Sequence, residues 1–377
     1  MRSVKSGLKM NIRSRVAAVV TGVALALSVT VGWAPAASAA YSHDPVGPTW
    51  TPDGAVLAAV TAGPRVIVGG NFTGGIAALD ASTGALIWKG TANAGVEALA
   101  LSQGGTHVIA GGRFTEVSGA AHRKLASLRV TDGVAESTWK ARAGGTVRDI
   151  AIVGDTAYFG GAFTNHNGIN QGGLGAVSVS AGTAVTAFTA STDAKVYALA
   201  TNGSKLVIGG NFTAVNGLPR ASLASVTLAS NALGGWNPAR QCTGCNLYWD
   251  VLVNGSTVYA VGRNVGAVVA FDLDTAARRW RVTANGDAQA LTFSDGLVYV
   301  GGHFTEIGNG TARQPRKILA ALNPATGALD ANFRPSFVGS YPGVWALAST
   351  SSRLYVGGYF SSAGTLKKHP YLAMFGS

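Results

Sequence analysis

Short apolar runs alternate with turn residues along nearly the whole chain. A typical run is residues 196–200, Val-Tyr-Ala-Leu-Ala, and a typical turn is residues 80–84, Asp-Ala-Ser-Thr-Gly. β-Branched residues are frequent inside the runs, whereas Gly, Asn, Asp and Pro gather between them. This spacing predicts many short β-strands joined by tight turns. No stretch after residue 31 has a helical period, so the sequence predicts an all-β protein.

One phrase, Gly-Gly-x-Phe-Thr at the end of an apolar run, recurs along the chain. Its second glycine stands at positions 70, 112, 161, 210, 262, 302 and 358. The fifth copy, Val258-Tyr-Ala-Val-Gly-Arg263, keeps one glycine and loses Phe-Thr. A period of about 48 residues made of strands alone is typical of a β-propeller or a solenoid. Each copy reads as four strands, so we predict one domain over 40–377, a seven-bladed β-propeller.

The two ends of the repeat region complement each other. The last copy stops after its third strand, residues 371–375, and has no fourth. Near the start, residues 48–52 (Pro-Thr-Trp-Thr-Pro) match fourth-strand segments such as Trp236-Asn-Pro238. We therefore predict that residues 48–52 supply the fourth strand of the last blade. Such a closure leaves no open sheet edge between the first and last blades.

Residues 1–39 have the features of a secretory signal peptide. Five basic residues and no acidic residue precede an uncharged apolar run, 16–31, and small residues follow at 35–40. We expect cleavage after Ala39, with Ala40 as the alternative, and a secreted, extracellular protein. The run is shorter than the ~20 residues of a spanning helix, so no membrane span is expected. Removal of the five basic residues lowers the formal net charge from +12 to +7, a surplus that attracts anionic partners.

The only two cysteines form the motif Cys242-Thr-Gly-Cys245, in a long connection between the fourth and fifth copies. In an exported protein this motif is either a redox site or a small structural disulfide. A redox site requires the first cysteine at a helix start, which lowers its pKa. No helix is predicted here, so we predict a structural disulfide between Cys242 and Cys245. Zinc would require a second pair of ligands, which the chain lacks.

The sequence contains no recognised catalytic motif. His-x-His, His-x-x-x-His, Gly-x-Ser-x-Gly and a phosphate-binding Gly-rich loop before a helix are all absent. The motifs therefore give no support for an enzyme, and we predict no catalytic residue, no metal and no cofactor.

The repeat itself has a family resemblance. After Gly-Gly-x-Phe-Thr come Val-x-Gly, a basic residue and Leu-Ala-x-Leu. The best copies are residues 114–119 with Arg123 and residues 212–217 with Arg220. The pattern resembles the delta-60 repeat β-propeller family of secreted bacterial proteins over essentially the whole chain after the leader. The resemblance implies a propeller fold and export, and it carries over no activity or catalytic residue.

Positions that differ among otherwise similar copies are candidates for function. One such position starts the innermost strand of each copy: Leu57, Glu97, Arg148, Tyr197, Asp250, Gln289 and Trp345. Trp249, Phe337 and Tyr341 lie in the adjoining connections. Aromatic faces beside carboxylate, amide and guanidinium groups are what sugars and other polar ligands require. We predict a ligand site at the channel mouth, formed by the residues of this set other than Leu57. Alternatively, unequal residues simply fill an unequal funnel.

Basic residues lie in the connections between second and third strands. They are His122-Arg123-Lys124, Arg220, Arg313, Arg316-Lys317 and Lys367-Lys368-His369. We expect Arg123, Arg220 and Arg316 to belong to the repeat itself. The roles of Arg313, Lys367 and Lys368 stay open, and an anionic partner is one of them.

The leading functional hypothesis is a secreted, non-catalytic binding protein. Its ligand would be a polar or anionic extracellular molecule, such as a glycan or cell-wall polymer, or a protein. One alternative is a carbohydrate-active hydrolase or lyase with Glu97 and Asp250 as its acid and base. Another is a surface structural protein without a ligand. Nucleic acid is not expected, because export removes most such targets and no stacking platform is evident.

Overall fold

The computed structural model describes residues 41–241, 246–263, 267–310, 312–339, 342–367 and 369–377. Residues 1–40, which include the predicted signal peptide and both predicted cleavage positions, lie outside the described residues, as do the Cys242–Cys245 pair, Tyr341 and Lys368. Every regular element in these ranges is a β-strand, which confirms the all-β prediction. Within the same ranges, no helix has the length and apolar character needed to cross a membrane.

Each copy of the repeat forms an antiparallel sheet whose first three strands pair in the order first, second, third. The first strands are β2 (Val56–Ala62), β6 (Val96–Leu101), β11 (Thr146–Val153), β16 (Val196–Thr201), β21 (Leu247–Asn254), β25 (Asp287–Ser294) and β31 (Gly343–Ser349). The second strands are β3 (Arg65–Gly70), β7 (His107–Gly112), β12 (Thr156–Ala162), β17 (Lys205–Gly210), β22 (Thr257–Arg263), β26 (Leu297–His303) and β32 (Arg353–Tyr359). The third strands are β4 (Ile76–Asp80), β10 (Leu125–Arg129), β15 (Leu174–Ser178), β20 (Leu223–Thr227), β23 (Val268–Asp272), β29 (Leu319–Leu322) and β34 (Leu372–Gly376).

The fourth position in each sheet is less regular. Full strands stand there in the first and fifth copies, β5 (Leu86–Lys89) and β24 (Arg278–Ala284). The second, third, fourth and sixth copies have single bridges instead, at Ala135, Ala184, Leu233 and Leu329. Short strands form hairpins and pairs outside the main sheets: β8 (Glu116–Val117), β9 (Ala120–Ala121), β13 (Asn165–His166), β14 (Ile169–Asn170), β18 (Ala214–Val215), β19 (Leu218–Pro219), β30 (Phe337–Val338) and β33 (Ser362–Ala363). The hairpin of β27 (Glu306–Asn309) and β28 (Ala312–Pro315) instead pairs with β24 and extends the sheet of the fifth copy.

The N-terminal strand joins the last copy, through other residues than those predicted. Strand β1 (Pro45–Val46) pairs with β34, with Pro45 opposite Phe375 and Val46 opposite Met374. The predicted segment 48–52 forms no strand. Proline has no N–H for a ladder, and this segment has a proline at each end. Its Thr49 and Trp50 amides instead bond to the carbonyls of Thr83 and Gly84 in the first copy.

The core lies between neighbouring copies. Each cluster of buried apolar residues draws on two sheets that are adjacent in chain order, except one that joins the first copy to the last. In that cluster Val56 and Val66 pack with Ala346 and Tyr355. The first strands of successive copies also contact one another from β2 to β31, and β31 contacts β2. The contacts between sheets, rather than within them, therefore determine the repeated residues.

The first glycine of the Gly-Gly pair permits these contacts. A Cβ on Gly69 would lie 2.7 Å from Cγ1 of Val96 in the next copy, and one on Gly160 would lie 2.6 Å from Val196. Such distances are shorter than carbon atoms tolerate. The fifth copy reverses the arrangement, because Val261 replaces the glycine and Ala288 stands where other copies have the larger side chain. Val261 and Ala288 share one core cluster. The fifth copy is thus a compensated variant of the repeat.

The other repeated residues also form hydrogen bonds that hold the copies together. The amide of the Phe-Thr threonine donates to an Asx side chain of the preceding link, as from Thr115 to Asn93 (2.9 Å) and from Thr213 to Asp193 (2.8 Å). The fourth-strand tryptophan donates through Nε1 to a carbonyl of the next copy, as Trp88 does to Val130 (2.9 Å). The tryptophan bond satisfies a buried polar group and joins two sheets, and the threonine bonds tie each copy to the link before it.

Two of the three basic residues assigned to the repeat behave as predicted. Arg220 and Arg316 each donate to the preceding carbonyl and to a carbonyl fourteen residues later. Arg316 is only 3% exposed. In the second copy the buried residue of this connection is His122, whereas Arg123 is exposed. The assignment of Arg123 is therefore wrong by one residue, because the imidazole rather than the guanidinium fills the space under the connection.

Candidate ligand-binding site at the strand starts

Every first strand has a register shift immediately after its beginning, and a single residue lies in each shift. These residues are Leu57, Glu97, Arg148, Tyr197, Trp249, Gln289 and Trp345, and we call them the entrance ring. A β-bulge of this kind redirects the side chain that it contains. Six predicted positions occupy the bulge. In the fifth copy the prediction is wrong by one residue, because the shift between Tyr248 and Asp250 places Trp249 there.

Glu97 is the acidic centre of one side of the ring. Its side chain is 5% exposed, and each carboxylate oxygen faces a different arginine. Oε1 lies 2.7 Å from Nε of Arg113, and Oε2 lies 2.5 Å from Nη1 of Arg148. Arg113 also donates to Oδ1 of Asn71 at 2.9 Å. One carboxylate therefore orients two guanidinium groups, whose side chains are 49% and 37% exposed.

A row of aromatic side chains continues from Arg148. Its guanidinium carbon lies 5.7 Å from the centre of the Tyr197 ring, within cation–π range. Tyr197 meets Trp249 edge to face with centroids 4.9 Å apart, and Trp249 meets Trp345 at 6.3 Å. Trp249 and Trp345 belong to the fifth and seventh copies, so side chains from copies that are not neighbours in sequence converge here. Trp345 is 37% exposed and presents an aromatic surface to solvent.

Several polar atoms of the ring are buried without a hydrogen-bond partner among the described residues: Nε1 of Trp249, Oε1 of Gln289 and Nε of Arg148. Gln289 is 9% exposed, and a Cβ on Gly343 would lie 3.5 Å from its Oε1, which places it beside the start of β31. Buried polar groups without partners are rare and concentrate at functional sites.

Asp250 occupies a different environment from the ring. Its Oδ2 accepts the amide of Leu291 in the next copy at 2.7 Å, just as Oδ2 of Asp149 accepts the amide of Leu199 at 2.6 Å. Burial raises the pKa of Asp149 to about 7. Burial, followed by the nearby Asp149 carboxyl, raises the pKa of Asp250 well above its ordinary value. The two aspartates therefore join adjacent first strands below the ring.

The three residues predicted to adjoin the ring do not share one position. Trp249 becomes a member of it. Phe337 is 1% exposed and packs against Phe360, with ring centroids 5.0 Å apart, so it belongs to the core. Tyr341 lies outside the described residues.

The predicted site residues did not include a second ring of variable residues. It consists of the residue after each Gly-Gly pair or its equivalent: Asn71, Arg113, Ala162, Asn211, Arg263, His303 and Tyr359. Tyr359 and His303 pair with Gly343 and Asp287, each two residues before the entrance-ring residue of its copy. Burial lowers the pKa of His303, which keeps its imidazole neutral at physiological pH. The signal was present in the motif, as the unspecified x of Gly-Gly-x-Phe-Thr.

Another concave region lies at the opposite ends of the strands, between the second and third copies. This cleft of about 580 Å³ is lined by His107, Glu136, Trp139 and Asp155, among others. His107 Nε2 lies 3.2 Å from Glu136 Oε1, and Arg129 lies 3.6 Å from the same oxygen. In the described part of the chain, no group of three or more His, Cys, Asp or Glu side chains could hold a metal ion.

Comparison with known proteins supports the architecture. No protein-family model and no curated protein matches the chain. The crystal structure of the WD40 beta propeller domain of Doa1 matches with a TM-score of 0.61 and 10% sequence identity, over 89% of this chain and 96% of that one. The chain has a propeller-like fold. The computationally designed Ika8 protein also matches this propeller, with a TM-score of 0.57 and 13% identity, over 89% of this chain and 99% of that one. Identities this low show the fold alone.

Proposed function

We propose that the chain is a secreted, non-catalytic binding protein whose ligand binds at the entrance ring. The mature domain, residues 40–377, would form a closed seven-bladed propeller of the delta-60 repeat type. Closure is supported by the contact between β31 and β2 and by the pairing of β1 with β34. A closed ring brings the seven strand starts around one axis, where pockets form in this architecture.

The observation that carries this proposal is the contrast inside the ring. Neighbouring positions repeat because they pack between copies, yet the bulge residues differ in size, charge and polarity. Among the described residues, three of their polar atoms are buried without a hydrogen-bond partner. A polar ligand with hydroxyl groups would supply both an acceptor for Trp249 and a donor for Gln289. The exposed face of Trp345 would pack against an apolar face of the same ligand.

The alternatives have less support. A glycosidase needs a carboxyl group that can give up a proton to the leaving group. The carboxylate of Glu97 is paired with Arg113 and Arg148, and Oδ2 of Asp250 accepts the Leu291 amide below the ring, so both carboxyl groups are already engaged within the fold. A purely structural protein would give no reason for a row of aromatic residues that ends in the exposed face of Trp345.

The test is a binding screen of the secreted protein against glycans and cell-wall polymers. For any ligand found, we expect Trp345→Ala to weaken binding at least about tenfold, because exposed aromatic anchors dominate binding energy. Lys367→Gln, at an exposed connection, should change mainly the salt dependence. Normal binding by the tryptophan variant together with lost binding by the lysine variant would place the site on the basic rim and overturn the proposal.

Secretion and the Cys242–Cys245 bridge belong to the same proposal. Mass spectrometry of protein recovered from the culture medium should give a mature N-terminus at residue 40 or 41. It should also give a peptide with the mass of a closed disulfide. Alkylation of both cysteines in the native protein would contradict the bridge without touching the binding site.

A further inference from the structure

The entrance ring is charged unevenly. The entrance ring and the second ring together contain three guanidinium groups, those of Arg113, Arg148 and Arg263. The carboxylates in and beside these rings are those of Glu97 and Asp287. Guanidinium groups therefore outnumber carboxylates among these named residues.

Arg148 is fixed in place yet only partly used. Its Nη1 holds Glu97, and the guanidinium lies over the ring of Tyr197. Two restraints of this kind remove most of the side chain's freedom, so binding a further group costs little additional ordering. Its Nε is buried and has no partner among the described residues. A planar acceptor such as a carboxylate fits the remaining edge of a guanidinium.

The side chains beside Arg148 indicate which kind of ligand could bring a carboxylate to it. Nε1 of Trp249 can only donate and Oε1 of Gln289 can only accept, and neither has a partner in the part of the chain that the structure describes. A hydroxyl group does both. Tyr197, Trp249 and Trp345 form a continuous aromatic row from Arg148 to solvent. Aromatic surface, hydroxyl partners and a cation thus occur in one row.

Resting on the proposed function, we propose that the entrance ring binds an acidic saccharide, an oligosaccharide containing hexuronic acid. The carboxylate pairs with Arg148, ring hydroxyls satisfy Trp249 and Gln289, and an apolar sugar face packs on Trp345. Charge and stacking act together here, so a neutral oligosaccharide of the same length binds more weakly.

The experiment compares one hexuronate oligosaccharide with its own methyl ester and with a neutral hexose oligosaccharide of equal length. Calorimetry on the wild-type protein should give at least about tenfold tighter binding of the acid than of the ester. This comparison needs no variant, so it cannot fail through misfolding. Equal affinity for acid and ester would overturn the inference while leaving the proposed function intact. No binding of any saccharide, in this set or in the wider screen, would overturn both.

Variants then assign the effect to a residue. Arg148→Gln should remove the difference between acid and ester while keeping the weaker binding of the neutral oligosaccharide. Lys367→Gln removes an equal charge from an exposed connection outside the two rings and should keep the difference. If the arginine variant, with an unchanged melting temperature, still prefers the acid, the assignment to Arg148 is wrong.

Discussion

Adjacent residues of one strand obey opposite rules in this propeller. Gly301 and Gly302, near the end of β26, are the pair found in almost every copy, whereas the next residue, His303, is replaced by Asn, Arg, Ala or Tyr in the other copies. The glycines have no freedom, because a Cβ on Gly301 would overlap Val344 of the next copy. His303 lies at the entrance beside Gly343, and its position takes side chains of different size and charge in the different copies. Variation among copies of one chain therefore separates the positions that hold the frame from those available for binding.

The largest effect is expected when a glycine that packs against the next copy is replaced by a larger residue. Gly301→Val should lower the free energy of unfolding by roughly 3 kcal/mol or more, because overpacking at a backbone contact cannot relax cheaply. Adding Val344→Ala recreates the natural pair of Val261 and Ala288, and should recover at least about half of that loss. Chemical denaturation of the single and double variants measures both.

The matched control is Gly104→Val, in a turn where a Cβ would meet no atom within 4 Å. It should change stability by less than about 0.5 kcal/mol. A double variant no more stable than Gly301→Val would show that the exchange in the fifth copy is not a compensation.

A smaller effect is expected at Asp250, which stands beside the entrance ring but joins two first strands. A carboxyl whose pKa is raised by folding stabilises the fold fully below its unfolded pKa of about 4, and this contribution is lost as the pH rises through the folded-state value. Asparagine keeps an oxygen for the Leu291 amide but does not titrate. We therefore expect Asp250→Asn to be more stable than wild type at about pH 8.

The difference between this variant and wild type should shrink toward about pH 4, where wild-type Asp250 is also neutral. Asp80 provides a control of opposite sign. Hydrogen bonds from Ser82 and Thr83 lower its pKa, so Asp80→Asn should destabilise the protein at neutral pH and do so less in acid. Thermal melts across the pH range distinguish the two. Curves for Asp250→Asn that run parallel to wild type would mean that Asp250 ionises normally in the fold.

The smallest effect is expected in the second ring. Asn211→Arg gives the fourth copy the residue that the second copy has at Arg113. Asn211 is exposed, so the free energy of unfolding should change by less than about 0.5 kcal/mol. Its neighbour Phe212 is fully buried, and Phe212→Ala should cost roughly 3–5 kcal/mol. Similar losses from both substitutions would remove the distinction between frame and entrance.

The sheets were predictable because the residues that specify them repeat. Gly-Gly, Phe-Thr and the fourth-strand tryptophan each reflect a contact made once per copy, and periodicity reveals such contacts without a structure. The pairing of the N-terminal segment with the last copy was predicted, but the residues that form it were not. Pro45 and Val46 are too short a segment to stand out, whereas residues 48–52 resemble a fourth strand and yet bond to the first copy.

The site was less predictable, and the reason is local. In the fifth copy Tyr-Trp-Asp-Val replaces the usual Val-x-Ala-Leu, so apolar spacing alone could not decide whether Trp249 or Asp250 lies in the bulge. Hydrogen bonding decides it, because the Asp250 carboxylate binds the Leu291 amide as Asp149 binds Leu199. The arginine pair around Glu97 was equally hidden, since Arg113 follows the end of β7 and lies far in sequence from Arg148.

At the joint of the fifth and sixth copies, Val261 and Ala288 reverse the usual order of small and large residues. These two copies therefore cannot be removed one at a time. Most copies present a glycine to the following copy and a larger side chain to the preceding one, so they are interchangeable modules at their joints. The fifth and sixth copies are not. Removing the sixth alone would set Val261 against Val344, and removing the fifth alone would leave Gly209 facing the small Ala288. Excising both together would restore the ordinary joint of Gly209 with Val344. Repeat number in such a protein can therefore change across this joint only in steps of two, whether by recombination or by design.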